Sequence, residues 1–181
     1  MKKKLTTVLA IVLVVALSVA GTYAYLTSKT ATITNTFTVG NVKIDLTETT
    51  GDSYKMVPGT TIKKDPKVTV EANSEACWLF VKVVKSDNFD SFMTFNMDSG
   101  WTALDGVNDV FYRQVAASGT DQDFAVLANN KVSVKSDVTK DMMDAIKEGT
   151  ATNPTLTFTA YACQTAGFED NAAGAWAEVS K

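Results

Sequence analysis

Between residues 31 and 39 every second position is threonine, and the positions between them are Ala31, Ile33, Asn35, Phe37 and Val39. A strict period of two is the signature of an extended strand with unlike faces, because successive side chains point to opposite sides of the backbone. A helix would scatter the same residues around its circumference. The phase inverts after Gly40 and Asn41, so that Val42, Ile44 and Leu46 become the apolar set against Lys43, Asp45 and Thr47. A tight turn and a bulge both account for that inversion, and both keep an apolar row on the core side.

The same grammar continues along the chain. Pro58 and Gly59 supply a turn, and after Lys63, Lys64 and Pro66 a strand resumes in which Val68 and Val70 alternate with polar residues until Asn73 and Ser74. Residues 77–84 are almost continuously apolar apart from Lys82, which predicts a central strand covered on both faces. Residues 92–97, 110–115, 124–127 and 131–134 read as shorter strands separated by Gly, Asp and Asn. In residues 156–164, Leu156, Phe158, Ala160 and Ala162 alternate with Thr157, Thr159 and Tyr161, and this strand too is expected to be central. One helix is predicted over residues 139–148, with Asp141 in its first turn, Met142, Met143 and Ile146 on one face, and Gly149 at its end. The fold class that follows is all-β, a jelly-roll-like antiparallel sandwich with one short helix, preceded by an N-terminal signal helix.

That signal comes from the first 24 residues. Lys2, Lys3 and Lys4 precede an apolar run from Leu5 to Ala20, and Thr22, Tyr23 and Ala24 form a cleavage site ahead of Tyr25. An uncleaved anchor is the alternative, but the run is short for a span of roughly 20 residues and is interrupted by hydroxyls. The domain plan is therefore a signal peptide at 1–24, an extended segment and candidate donor strand at 25–40, and a sandwich at 41–181. Cleavage removes 24 of the 181 residues and leaves 157, enough for one core without disulfide support.

Charge and residue usage exclude several functions. Loss of the three leading lysines moves the formal net charge from -3 to -6, which argues against nucleic acid and against an anionic membrane surface as partners. The chain contains no histidine, so an HExxH zinc site, an imidazole-activated nucleophile and a 2-His-1-carboxylate iron site are all unavailable. Asp98-Ser99-Gly100 echoes the aspartic protease tripeptide, but there is no second copy to share its proton, and a turn is the simpler reading. The acidic loops at 87–90, 105–109 and 121–123 lack the spacing of an EF-hand and read as turns. No phosphate-cradling glycine motif occurs, and no catalytic residue, metal or cofactor is expected. Trp78, Trp101 and Trp176 are placed singly, as core or edge-covering residues are. Cys77 and Cys163 each lie in a strand-like run. They are either a disulfide, if those strands are neighbours, or two buried free thiols. Residues 165–181 carry no sorting motif with a hydrophobic tail, so covalent wall anchoring is not expected.

Four stretches carry a family resemblance: residues 21–28 (Gly21-Thr22-Tyr23-Ala24-Tyr25-Leu26-Thr27-Ser28), residues 35–41 (Asn35-Thr36-Phe37-Thr38-Val39-Gly40-Asn41), the Pro58-Gly59 turn, and residues 158–162 (Phe158-Thr159-Ala160-Tyr161-Ala162). Together they resemble the TasA and camelysin (CalY) family of exported Gram-positive proteins. The resemblance implies removal of the signal by the signal peptidase SipW, a jelly-roll sandwich, and location at the cell surface or in the biofilm matrix. For the fibre-forming members it also implies head-to-tail polymerisation through the N-terminal strand. The chain itself and SipW are then the expected partners, with other matrix proteins as further ones. Camelysin relatives are also described as metallopeptidases, an activity that the absence of histidine argues against here.

Residues 25–40, fully extended, reach on the order of 50 Å. Such an arm can leave one domain and lie across another, with Ala31, Ile33, Phe37 and Val39 on its apolar side selecting the register and Asn35 pinning it. The competing expectation is a monomer in which the same strand completes its own sheet and the protein acts as a surface-binding module.

Overall fold

A computed structural model describes residues 40–51 and 53–181. The expected signal peptide, its cleavage residues Thr22, Ala24 and Tyr25, and the strand residues Ala31, Ile33, Asn35, Phe37 and Val39 lie outside the described residues.

The chain forms β1 (Ile44–Thr47), β2 (Thr61–Lys63), β3 (Lys67–Val70) and β4 (Cys77–Lys85), then a single helical turn α1 (Phe89–Phe92) running into β5 (Met93–Thr94). There follow β6 (Thr102–Ala103), β7 (Val110–Val115), β8 (Gln122–Ala125), a short turn at Ala128–Asn130, β9 (Lys131–Val134), α2 (Lys140–Lys147), β10 (Leu156–Gln164) and α3 (Ala172–Val179). All strand pairs are antiparallel, in three groups ordered β10-β4-β7-β6, β1-β3-β8 and β2-β9-β5. The two three-stranded groups continue one another. Between them the Lys64 N–H donates to the Asn130 carbonyl at 2.9 Å and the Val126 N–H to the Pro66 carbonyl at 2.9 Å. Pro66 has no N–H to extend the ladder, and Asn129 and Asn130 take left-handed φ values of 55° and 51°, so the layer bends there.

This bent layer and the four-stranded sheet enclose the sandwich core. Val68 and Val70 of β3 meet Cys77, Leu79, Val81 and Val83 of β4, with Ile44, Leu46, Phe158, Ala160 and Ala162 packed around them. Burying such side chains, at about 1.5–3 kcal/mol each, is what fixes the layers. A second core gathers Phe89, Phe92, Leu127, Val132 and Val134 under the other half of the bent layer. A third, on the outer face of the four-stranded sheet, packs Trp78, Phe80 and Val110 against Ala175 and Trp176 of α3.

The all-β sandwich is as expected, and β4 is a central strand with both faces covered. The predicted helix is α2: the Thr139 hydroxyl caps it by accepting from the Met142 N–H at 3.3 Å, Asp141 sits in its first turn, and Gly149 leaves it at φ 76°. Val42, Ile44 and Leu46 do form one row on the sandwich core. Asp98 to Trp101 is a turn, closed by the Trp101 N–H on the Asp98 carbonyl at 3.0 Å.

Three readings change. Residues 92–97 are not one strand: Phe92 ends α1, β5 has two residues, and Met97 makes an isolated bridge to Leu127. One helix was expected, at 139–148, and α3 is a further one, capped by the Asn171 side chain accepting from the Gly174 N–H at 2.8 Å. Strand β10 is not central among the described residues but lies at the end of its sheet, paired with β4 alone. Alternation reports how a strand's two faces are covered and carries nothing about the neighbours on its two edges.

Candidate functional site

Strand β10 runs for nine residues, and all nine pair with β4, from Leu156 opposite Lys85 to Gln164 opposite Cys77. Its other edge has no ladder partner among the described residues. It contains no proline and no glycine, two of the devices that normally blunt an open edge. Leu156, Phe158, Ala160 and Ala162 face the core but are only half-buried, whereas the equivalent positions of β4, Leu79 and Val81, are fully buried. The facing layer ends in β1, whose inward Ile44 and Leu46 are likewise half-buried. Two edges with partly covered apolar rows therefore bound one side of the sandwich.

At the start of β10 lies a cleft of about 450 Å³, lined by Leu156 together with Tyr54, Met56, Ile62, Phe89 and Met93. A strap that includes residues 48–51 and 53–56 borders it through Ser53, Tyr54 and Met56. Three bonds to Asp65 hold the base of the strap: the N–H groups of Thr49 and Thr50 donate to its carboxylate at 3.0 and 3.1 Å, and the Thr49 hydroxyl donates at 2.6 Å. Further along, the Tyr54 hydroxyl donates to Glu48 at 3.0 Å, and the Lys64 ammonium pairs with Glu48 at 2.7 Å. The same ammonium lies 5.4 Å from the Tyr54 ring centre and 5.9 Å from that of Phe158, so it links strap to strand.

The Thr49 hydroxyl bond, with the N–H donors behind it, holds the Asp65 carboxyl at about 2, below its ordinary 3.8. A depressed carboxyl contributes stability above its unfolded value and loses it as pH falls through the folded one. The expected outcome for Asp65→Asn is lower stability at neutral pH and a smaller further loss between about pH 4 and 2 than the parent shows. Thermal melts across that range check it. Identical slopes for the two proteins would show that the strap is not fastened by this charge.

The two cysteines occupy the neighbouring strands that a disulfide would need, but the register forbids one. Cys163 lies opposite Trp78 while Cys77 lies opposite Gln164, a one-residue offset that sends the thiols to opposite faces of the sheet. Cys77 packs in the sandwich core and Cys163 against the layer under α3, and both are free. Burial, and secondarily the Cys163 thiol, push the Cys77 pKa up to about 11, which marks a packing thiol and not a nucleophile. All three tryptophans are buried, and Trp78 and Trp101 each donate their indole N–H to a backbone carbonyl at 2.7 Å, from Phe168 and Ala125 respectively. No face is thereby left for stacking a sugar.

Little of this site was legible beforehand. The Thr49, Thr50 and Asp65 contacts span 15 and 16 residues with no motif to announce them. The nine-residue run of β10 was visible, but not its open edge.

Fold and site together define an antiparallel β-sandwich with a long edge strand that is unpaired on one side among the described residues, and a cleft of mixed lining beside it. Residues 1–78 match the family model described as camelysin metallo-endopeptidase. Comparisons with curated proteins and with solved structures return no match.

The family description implies a metal. Among the described residues no three His, Cys, Asp or Glu side chains come together in a way that could hold one. Residues 1–39 contain none of these types, and Asp52 is the one such side chain outside the described set. The donors among the described residues do not fit a catalytic metal. Among the described residues no helix is long and apolar enough to cross a membrane.

Proposed function

We propose that this is a secreted structural protein of the cell surface or biofilm matrix, freed from its signal by a SipW-type peptidase after Ala24. In this reading the released N-terminal strand of one copy adds to the sheet of the next, building a fibre. The observation that carries the reading is the outer edge of β10, nine residues without a ladder partner among the described residues and with a half-buried apolar row beside it. An added strand satisfies the free N–H and C=O groups and covers that row, gaining main-chain bonds everywhere and selectivity from alternate side chains. A contact between unlike surfaces of identical copies propagates head to tail without closing.

The test is removal of residues 25–36 from the processed protein. Filaments seen by electron microscopy for the parent are expected to be absent for the shortened chain, with its thermal melt showing that the sandwich still folds. Long filaments from the shortened chain would end the proposal. A monomeric surface-binding module is the second reading, favoured by the same edge if the strand completes its own sheet. Light scattering that shows single domains at high protein concentration supports it.

A further inference from the structure

We infer that Arg113 is a binding site for a carboxylate supplied by another molecule, and that Gly100, Trp101 and Phe124 hold its guanidinium edge-outward to receive it. The inference is independent of strand exchange, because β7 and β8 bound the side of the sandwich opposite to β10 and β1.

Arg113 is the only arginine in the sequence and sits in β7 opposite Leu79. Phe111 and Val115, two residues to either side, pack on the sandwich core, so alternation turns the Arg113 side chain to the same face. A cation in an apolar row needs a reason, since taking a charge out of water costs free energy unless opposite charge or hydrogen bonds compensate. Two rings compensate in part: Cζ lies 4.0 Å from the centre of the Phe124 ring and 5.5 Å from that of Trp101. Gly100 closes on the same group. A methyl group there would sit 2.7 Å from Nη1, 3.1 Å from Cζ and 3.2 Å from Nη2, near-equal distances that place the glycine over the guanidinium plane.

This frame covers the plane and leaves the donors unused. The buried Nε–H has no acceptor, and among the described residues no carboxylate pairs with the guanidinium. Asp98 is near enough to be felt but is otherwise engaged, with one carboxylate oxygen accepting from the Gly100 N–H at 3.2 Å. Burial lowers the Arg113 pKa, and the Asp98 charge offsets only part of that loss. The cation is thus partly desolvated, rigidly framed and uncompensated.

Geometry and charge select the ligand. Nη1 and Nη2 form one planar edge, which matches the two oxygens of a carboxylate lying in the same plane. A phosphate dianion carries a second charge, and a single cation beside Asp98 in a chain of net charge -3 does not balance it. Approach is open as well. Strand β6 pairs with Phe111 and Tyr112 only, and β8 ends its layer, so among the described residues no ladder passes in front of Arg113.

Saturation-transfer NMR on the processed chain, read from the ligand's own protons, tests the site in single domains and filaments alike. The probes are acetate and a capped tripeptide with a central glutamate; the glutamine tripeptide is the control and inorganic phosphate the competitor. The expected result is saturable transfer to a carboxylate probe and binding weaker by about tenfold or more in Arg113→Lys, which keeps the charge but loses the fork. Gly100→Ala, which keeps Arg113 but displaces its guanidinium, should show a similar loss. Thermal melts establish that the variants fold, and Gly100→Ala decides alone if Arg113→Lys does not. Tighter binding of the glutamate tripeptide than of acetate identifies an acidic side chain of a polypeptide as the source; the reverse order identifies a small free acid. Absence of saturable transfer, equal binding of the glutamine tripeptide, unchanged binding in the folded variants, or phosphate displacing acetate at concentrations below those acetate itself requires would overturn the inference.

Discussion

Trp176→Ala is expected to lower the unfolding free energy by about 3–5 kcal/mol, as large-to-small changes at buried tryptophans do. The indole is 8% exposed and lies edge-on to Tyr161, with ring centres 5.1 Å apart at 85°, and tilted against Phe80 at 5.4 Å. Without it, α3 has Ala175 as its remaining buried contact with the sheet, and the outer faces of Phe80 and Tyr161 open to water. Urea denaturation should show a lower midpoint with an unchanged slope, since the surface exposed on unfolding hardly alters. A loss under about 1 kcal/mol would mean that α3 is not a structural layer of the sandwich.

Phe89→Ala is expected to cost a comparable 3–5 kcal/mol, for a different reason. Phe89 is 1% exposed, makes an edge contact with Phe95 at 5.9 Å and 68°, and also forms part of the cleft wall. Its removal deletes contacts in the second core and widens the cleft. Phe89 and Trp176 belong to clusters that share no side chain, so their losses should add within about 0.5 kcal/mol in the double variant. A large coupling between them would contradict the division into separate cores.

The comparison of β4 with β10 shows where local sequence stops being informative. Both are long apolar-rich runs, and both were expected to be central. β4 is central, because a run apolar at nearly every position can be stable only with both faces covered and usually with neighbours on both sides. β10 alternates, and alternation is satisfied by one covered face whether or not the second edge is paired. The cysteines make the same point, since neighbouring strands alone would have allowed a bridge and a register offset of one residue prevents it.

The sequence by itself determined the all-β class, the main strands, the turn at Asp98, a helix over about residues 139–148, and the lack of histidine chemistry. These follow from periodicity, capping and composition, which act over a few residues or over the chain as a whole. Only the tertiary structure decided that β10 ends its sheet among the described residues, that Thr49 and Thr50 fasten a strap to Asp65, that a cleft opens beside Leu156, and that Gly40 enters at Gln164. Each depends on which distant segments meet, and that is set by the joint packing of whole layers, where a shift of one residue in any ladder would exchange the inside of a strand for its outside.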